Sequence, residues 1–183
     1  MLAKIIYNPL VLAKETTMRR LIAVTLFLFS AAANAAASIP MYEFPLKNGE
    51  SRDDLYKMSE HKNSVFVFEA YRLSCGYCNE NAPVVDALVN EYAANPRVQV
   101  LDLGLDTNDS EYAEWVARHN PNHPVIQDSG RRVYNALRTE NGVPQVFIVN
   151  CKGEMVGNHV GTWSGYGKKI RGLIDRALQT TCD

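Results

Sequence analysis

Apolar residues along this chain fall into blocks of different period, and each block predicts a different element. An unbroken apolar run spans Leu21 to Phe29. A shorter one, Val65-Phe66-Val67-Phe68, has the β-branched and aromatic makeup of a strand. Val84, Leu88 and Tyr92 recur every four residues, which predicts a helix from Cys75 to about Tyr92, stopped at Asn95-Pro96. Val98 to Leu103 alternates as a second strand. Ser110 is placed to cap a helix running through Trp115 to Asn120, where Asn120-Pro121-Asn122-His123-Pro124 ends it, and a short helix is expected near Arg131 to Arg138. Gln145 to Val149 and Met155 to Val160 flank the turn Lys152-Gly153-Glu154, a hairpin entered through Val143-Pro144. Ile170, Leu173, Ile174, Ala177 and Leu178 form the apolar face of a last helix. Ser51 followed by Asp54 reads as a further helix start near the beginning. Helix, strand, helix, strand, helices, hairpin and helix in that order predict an α/β fold whose sheet has an antiparallel end.

The first apolar run belongs to a different kind of segment. Met18-Arg19-Arg20 precedes it and the small residues Ser30 to Ala35 follow, with Ala33-Asn34-Ala35 as an A-x-A cleavage site. This is the pattern of a secretory signal peptide, and the run is too short for a membrane-spanning helix. Residues 1–35 are therefore read as a leader, with residues 1–17 a start-site extension ahead of Met18, and an uncleaved anchor as the alternative. Residues 36–183 are expected to form a single domain. Of the 19 basic and 20 acidic side chains, four basic and one acidic fall in the leader, which leaves the remainder at −4. That charge favours neither nucleic acid nor an anionic membrane as partner.

All four cysteines follow the leader, and an exported chain meets conditions in which disulfides persist. Cys75-Gly76-Tyr77-Cys78 is a CxxC pair at the start of the predicted helix, whereas Cys151 and Cys182 stand alone. At a helix N-terminus the dipole and unpaired N–H groups stabilise a thiolate on the first cysteine. Cys75 is thus the expected nucleophile and Cys78 the resolving thiol. The competing readings are an inert structural bond or a zinc site, and zinc would need two further ligands that no second CxxC supplies. His119 and His123 are four apart, but Pro121 and the asparagines place them in a loop, as a solvent-exposed pair rather than a metal site. Tyr71, Tyr77, Trp115 and Trp163 read as core or rim aromatics, so neither a metal nor a cofactor is implied.

The residues around the pair carry a resemblance. Ala82-Pro83 after the cysteines, Gly142-Val143-Pro144 before the hairpin and Gly161 after it sit at the distances seen in the thioredoxin superfamily, which the chain resembles over roughly residues 60 to 180. The resemblance implies a thioredoxin fold: a central mixed sheet flanked by helices, here with an inserted helical segment, Asp106 to Asn141, before the cis-proline hairpin. That insertion resembles the periplasmic TlpA-like branch, while the tetrapeptide Cys-Gly-Tyr-Cys resembles DsbC-type isomerases. Ser74 replaces the tryptophan usual in thioredoxins, and Val143 replaces the threonine usual in DsbC-type proteins.

Several roles follow from the resemblance alone. A cis Pro144 would present the Val143 backbone beside Cys75 for client binding, with Tyr77 adjoining. Glu69, six residues before Cys75, holds the offset of a buried acid that deprotonates the resolving thiol; a solvent-facing strand-end glutamate is the other reading. Cys151 and Cys182 would meet in a structural disulfide at the end of the sheet away from the pair, or remain two free thiols. The expected activity is periplasmic formation or isomerisation of disulfides in exported cysteine-containing clients, served by a membrane or periplasmic redox partner. A TlpA-like dedicated reductase and a non-catalytic subunit of an envelope or secretion assembly are the alternatives.

Overall fold

The computed structural model describes residues 36–182. The predicted leader lies outside the described residues. The chain opens with a small antiparallel pair, β1 (Glu43–Pro45) and β2 (Leu55–Lys57). Then come β3 (Val65–Tyr71), α1 (Gly76–Tyr92), β4 (Val98–Gly104), α2 (Asp109–His119), β5 (Val125–Gln127), α3 (Arg132–Leu137), β6 (Gln145–Val149), β7 (Met155–Val160) and α4 (Gly167–Leu178). The main sheet has the order β5-β4-β3-β6-β7, with β3, β4 and β5 parallel and β6 and β7 antiparallel. This is a central mixed sheet flanked by helices in a thioredoxin-like topology, with α2 and β5 set between β4 and α3.

Both faces of the sheet are covered, so β3 and β6 are buried throughout. Phe66, Phe68, Leu101, Leu103 and Phe147 point to one face, under Phe44, Met58 and Leu137. Val65, Val67, Val100 and Ile148 point to the other, under Val85 and Leu88 of α1 and Ile170 and Ile174 of α4. Burial on both sides explains why β3 is longer than its apolar run: it continues through Glu69, Ala70 and Tyr71, all buried.

Three expectations are corrected. Ser51 and Asp54 close a turn, with Ser51 N–H donating to Asp54 Oδ2 at 2.8 Å, but the next residues extend as β2 because they pair with β1. Asn108, not Ser110, caps α2, with the Glu111 carboxylate accepting the Asn108 N–H at 3.3 Å. The buried face of α1 is Ala82, Val85 and Leu88, whereas Val84 is 40 % exposed, one position off the predicted stripe. The three-residue strand β5 falls in a stretch to which the sequence pattern assigned no element.

The hairpin from β6 to β7 turns at the end of the sheet opposite Cys75. There Gly153, at φ 80°, accepts the Ile39 N–H at 2.8 Å, and a Cβ at this position would collide with the Ile39 carbonyl. Cys151 at this turn is disulfide-bonded to Cys182 beyond α4, with Cα atoms 6.1 Å apart. The bond closes a loop of 31 residues. Cys151→Ser is expected to lower unfolding stability by about 3.5 kcal/mol in the chain-entropy account. A loss below about 1 kcal/mol in urea titrations of oxidised protein contradicts that.

Candidate functional site

The end of β3 delivers the chain to the CxxC. Cys75 has extended backbone (φ −86°, ψ 110°) and is the N-cap of α1, its Sγ accepting the Cys78 N–H at 3.2 Å. The first turn of α1 contains no acidic residue to oppose a negative charge on that sulfur. The two cysteines are disulfide-bonded with Cα atoms 5.2 Å apart. They differ sharply in access: Cys75 is half-buried at the surface, while Cys78 is 1 % exposed.

Facing the pair is the loop before β6. The Val143–Pro144 peptide is cis, and the Val143 carbonyl oxygen lies 3.6 Å from Cys75 Sγ. Two side chains fix this loop. The Tyr134 hydroxyl accepts the Gly142 N–H at 2.9 Å and donates to the Gly142 carbonyl at 2.8 Å. Gln145 Nε2 donates to the same carbonyl at 2.7 Å and to Glu140 O at 3.0 Å. Tyr77 projects beside the pair, 63 % exposed.

Behind the pair lies a buried carboxyl. Glu69 is 2 % exposed, which overturns the solvent-facing reading of this residue. Its Oε1 accepts from Asn81 Nδ2 and its Oε2 from Trp163 Nε1, each at 2.9 Å, and Asn81 Oδ1 in turn accepts the Trp163 backbone N–H at 3.0 Å. Asn81 is three residues after Cys78 on the buried face of α1, so Glu69 is tied to the helical turn that carries the inner sulfur. Burial pushes the Glu69 carboxyl up to about 8; the Asn81 hydrogen bond opposes this, the nearby Asp102 adds to it, and the Trp163 hydrogen bond opposes it again.

The fold and the pair can be set beside known proteins. The model of the AhpC/TSA family matches residues 38–157. The chain belongs to the AhpC/TSA family. No curated protein matches it significantly. Among solved structures it is similar to a candidate thiol:disulfide interchange protein DsbE from Chlorobium tepidum, at 22 % identity and TM-score 0.65, over 79 % of this chain and 97 % of that one. It is also similar to a thiol-disulfide isomerase from Corynebacterium glutamicum, at 16 % identity and TM-score 0.64, over 81 % and 99 %. A disulfide oxidoreductase secreted by Mycobacterium tuberculosis aligns at 14 % identity and TM-score 0.56, over 74 % and 96 %. These likenesses establish a shared fold.

Within this AhpC/TSA family member the segment between β4 and α3 borders the site. An open cleft of about 650 Å³ runs beside Cys75, with Ser74, Gly76 and Asn79 on one wall and Glu111, Glu114 and Arg118 of α2 on the other. Sequence reasoning missed two residues here, one on β4 and one in this segment. Asp102, the register partner of Glu69 across β3 and β4, is 2 % exposed, and its Oδ2 accepts from Trp115 Nε1 at 2.8 Å. His123 is 6 % exposed, so the expected solvent-exposed histidine pair is corrected: His119 ends α2, and His123 is drawn inward because its neighbours join β5. Among the described residues no cluster is suited to a metal ion. Asp102 left one sequence signal, an acid inside an apolar strand beside the level of Glu69.

Proposed function

We infer that this chain is an exported thiol-disulfide oxidoreductase that forms or isomerises disulfides in cysteine-containing client proteins. The observation that carries the reading is the asymmetry of the pair: an accessible sulfur at a helix N-terminus, a buried sulfur one turn in, and a buried carboxyl of raised proton affinity behind it. In the reduced protein the Cys75 thiolate attacks a client disulfide, forming a mixed disulfide and releasing one client thiolate, which takes a proton from solvent. Cys78 then passes its proton to the ionised Glu69 and attacks Cys75. The client's second thiolate leaves, the Cys75–Cys78 disulfide forms, and two electrons have passed to the client. Run in reverse, the same steps oxidise a client dithiol; stopping at the mixed disulfide and returning to another client cysteine isomerises it. The Val143 backbone edge supplies a strand-like docking line for the client, with Tyr77 at its rim. Export rests on the leader pattern of residues 18–35, and a membrane or periplasmic partner would reset the pair.

A dedicated TlpA-like reductase is the second reading. It is favoured by α2 and β5, which resemble the TlpA-like insertion, and by the charged side chains with which α2 walls the cleft beside Cys75, a surface suited to one client. The reduction potential separates the two. Thioredoxin-like reductases lie near roughly −270 mV, whereas oxidising and isomerising catalysts lie near about −180 to −120 mV. The Gly-Tyr dipeptide between the cysteines leads us to expect a value in the upper range, together with rescue of a scrambled disulfide substrate. A value at the thioredoxin end without rescue replaces this reading with the reductase.

A further inference from the structure

The groups packed around Glu69 include a second buried cluster with no part in the steps above. The loop from α2 to β5 is pinned by its backbone: Asn48 Nδ2 donates to His123 O at 2.8 Å, and Asp102 N–H donates to Pro124 O at 3.0 Å. This sets the His123 ring, 3 % exposed, between two carboxylates from different elements. Its Nε2 is 3.1 Å from Asp102 Oδ1 on β4, and its Nδ1 is 3.2 Å from Asp86 Oδ1 on α1. These are charge contacts rather than aligned hydrogen bonds: Nε2 and the two carboxylate oxygens lack an aligned partner among the described residues, while Nδ1 also lies 3.4 Å from Asn122 Oδ1. A neutral imidazole always has one bare nitrogen, which here would point its lone pair at a carboxylate; only the imidazolium suits both sides. Burial alone would lower the proton affinity of His123, but Asp102 and Asp86 outweigh it and raise it. Asp86 is 28 % exposed, so the cluster runs from the interior to the surface.

We propose that His123 is a positioning residue for disulfide exchange: its positive charge offsets the Asp102 carboxylate and thereby sets how tightly the neighbouring Glu69 holds its proton. This rests on the reading of Glu69 as the proton acceptor of Cys78. Glu69 and Asp102 are register partners in parallel strands, so they share one face of the sheet. Around Glu69 stand Asn81 of α1, Trp163 beyond β7 and Asp102 of β4; His159 of β7, on the same face two strands away, is held at Thr162 O at 2.8 Å. Around His123 stand Asp86, Asp102 and Asn122; Trp115, bonded to the other Asp102 oxygen, packs on His119, whose proton affinity is held low by burial and Arg118. Tyr71 of β3, its buried hydroxyl without a partner among the described residues, stacks on Trp115. His123 is thus the cation in direct contact with Asp102. Removing it leaves two carboxyls side by side, and the last proton of that pair is then held more tightly whichever oxygen carries it.

The test is a carbon-13 NMR titration of the glutamate and aspartate carboxyls in oxidised full-chain protein, with Glu69→Gln assigning the Glu69 signal. His123→Asn should raise the Glu69 midpoint by about one pH unit or more, and Asp102→Asn should lower it. In the Asp102→Asn background, His123→Asn should raise it no longer, and His123→Lys, which keeps the charge, should leave it near the parent value. A purely structural His123 gives the opposite sign, because a loosened core admits water and both single variants then bring Glu69 down. Should the variants fail to fold, the unaltered protein still decides: both ring nitrogens of His123 must carry protons at pH 7, and a neutral ring overturns the proposal. Nothing in this readout needs turnover. An inactive chain with the expected shifts refutes the exchange reading alone, and an active chain whose Glu69 ignores His123 refutes this inference alone.

Discussion

Alanine at Cys78 is expected to turn the protein into a trap that accumulates covalent client adducts on Cys75, while alanine at Cys75 yields none and abolishes catalysed exchange. The difference follows from access and position. Cys75 caps α1 at the surface, where the helix N-terminus favours its thiolate, whereas Cys78 is inside and is placed to attack only the Cys75 sulfur. Without Cys78 the mixed disulfide has no internal thiol to resolve it, so it persists until another thiol arrives. Non-reducing gels of exported proteins from cells expressing each variant measure this directly. Equal trapping by the two variants would mean that the nucleophile is misassigned.

Glu69→Gln is expected to act on both rate and stability. A positioned acid-base group typically contributes about 10²–10⁴-fold, so resolution of the mixed disulfide should slow by at least about 10²-fold near neutral pH. The stability effect has a definite sign. Burial lifts the Glu69 carboxyl from 4.5 to about 8, so across that interval the folded chain keeps a proton that the unfolded chain has lost. The associated stability is fully present below 4.5 and is lost as pH rises through about 8. Each pH unit in that interval costs roughly 1.4 kcal/mol, for a total of a few kcal/mol. Glutamine carries no such dependence, so the stability of the variant relative to the parent should climb between pH 5 and pH 9. Parallel denaturation curves across that range would show that Glu69 titrates normally and is no proton store.

Much of the architecture was legible because the sheet and the longer helices obey strong periodicities. Val65 to Phe68, Val98 to Leu103 and the hairpin at Gly153 each pair an apolar run with a turn signal, and the helical spacing in α4 needs no tertiary context. What escaped was decided by contacts between distant segments. Ser51 and Asp54 carry a helix-start pattern, yet β1 lies alongside and supplies backbone partners that local propensity cannot foresee. Val125 to Gln127 is too short to register as a strand until β4 offers it an edge. The site divides in the same way. CxxC spacing and the proline loop announce Cys75, Cys78 and Pro144, and the six-residue offset singles out Glu69 without saying whether it faces water. His123 was hidden because its surroundings, Pro121 and two asparagines, look like solvent-exposed loop. Its burial depends on Asp86 and Asp102, 37 and 21 residues earlier, and on the docking of β5.

The chain has two tryptophans, and each donates its indole N–H to a different one of the two neighbouring carboxyls, Trp163 to Glu69 and Trp115 to Asp102. Their near-ultraviolet absorption and emission therefore arise entirely within hydrogen-bonding reach of these acids, with no third indole to dilute the signal. Ionisation of either carboxyl changes the field on its own chromophore. Trp115→Phe would leave Trp163 as a single built-in optical probe beside Glu69, and Trp163→Phe would leave Trp115 as one beside Asp102, so the surroundings of the two acids can be followed separately in unlabelled protein.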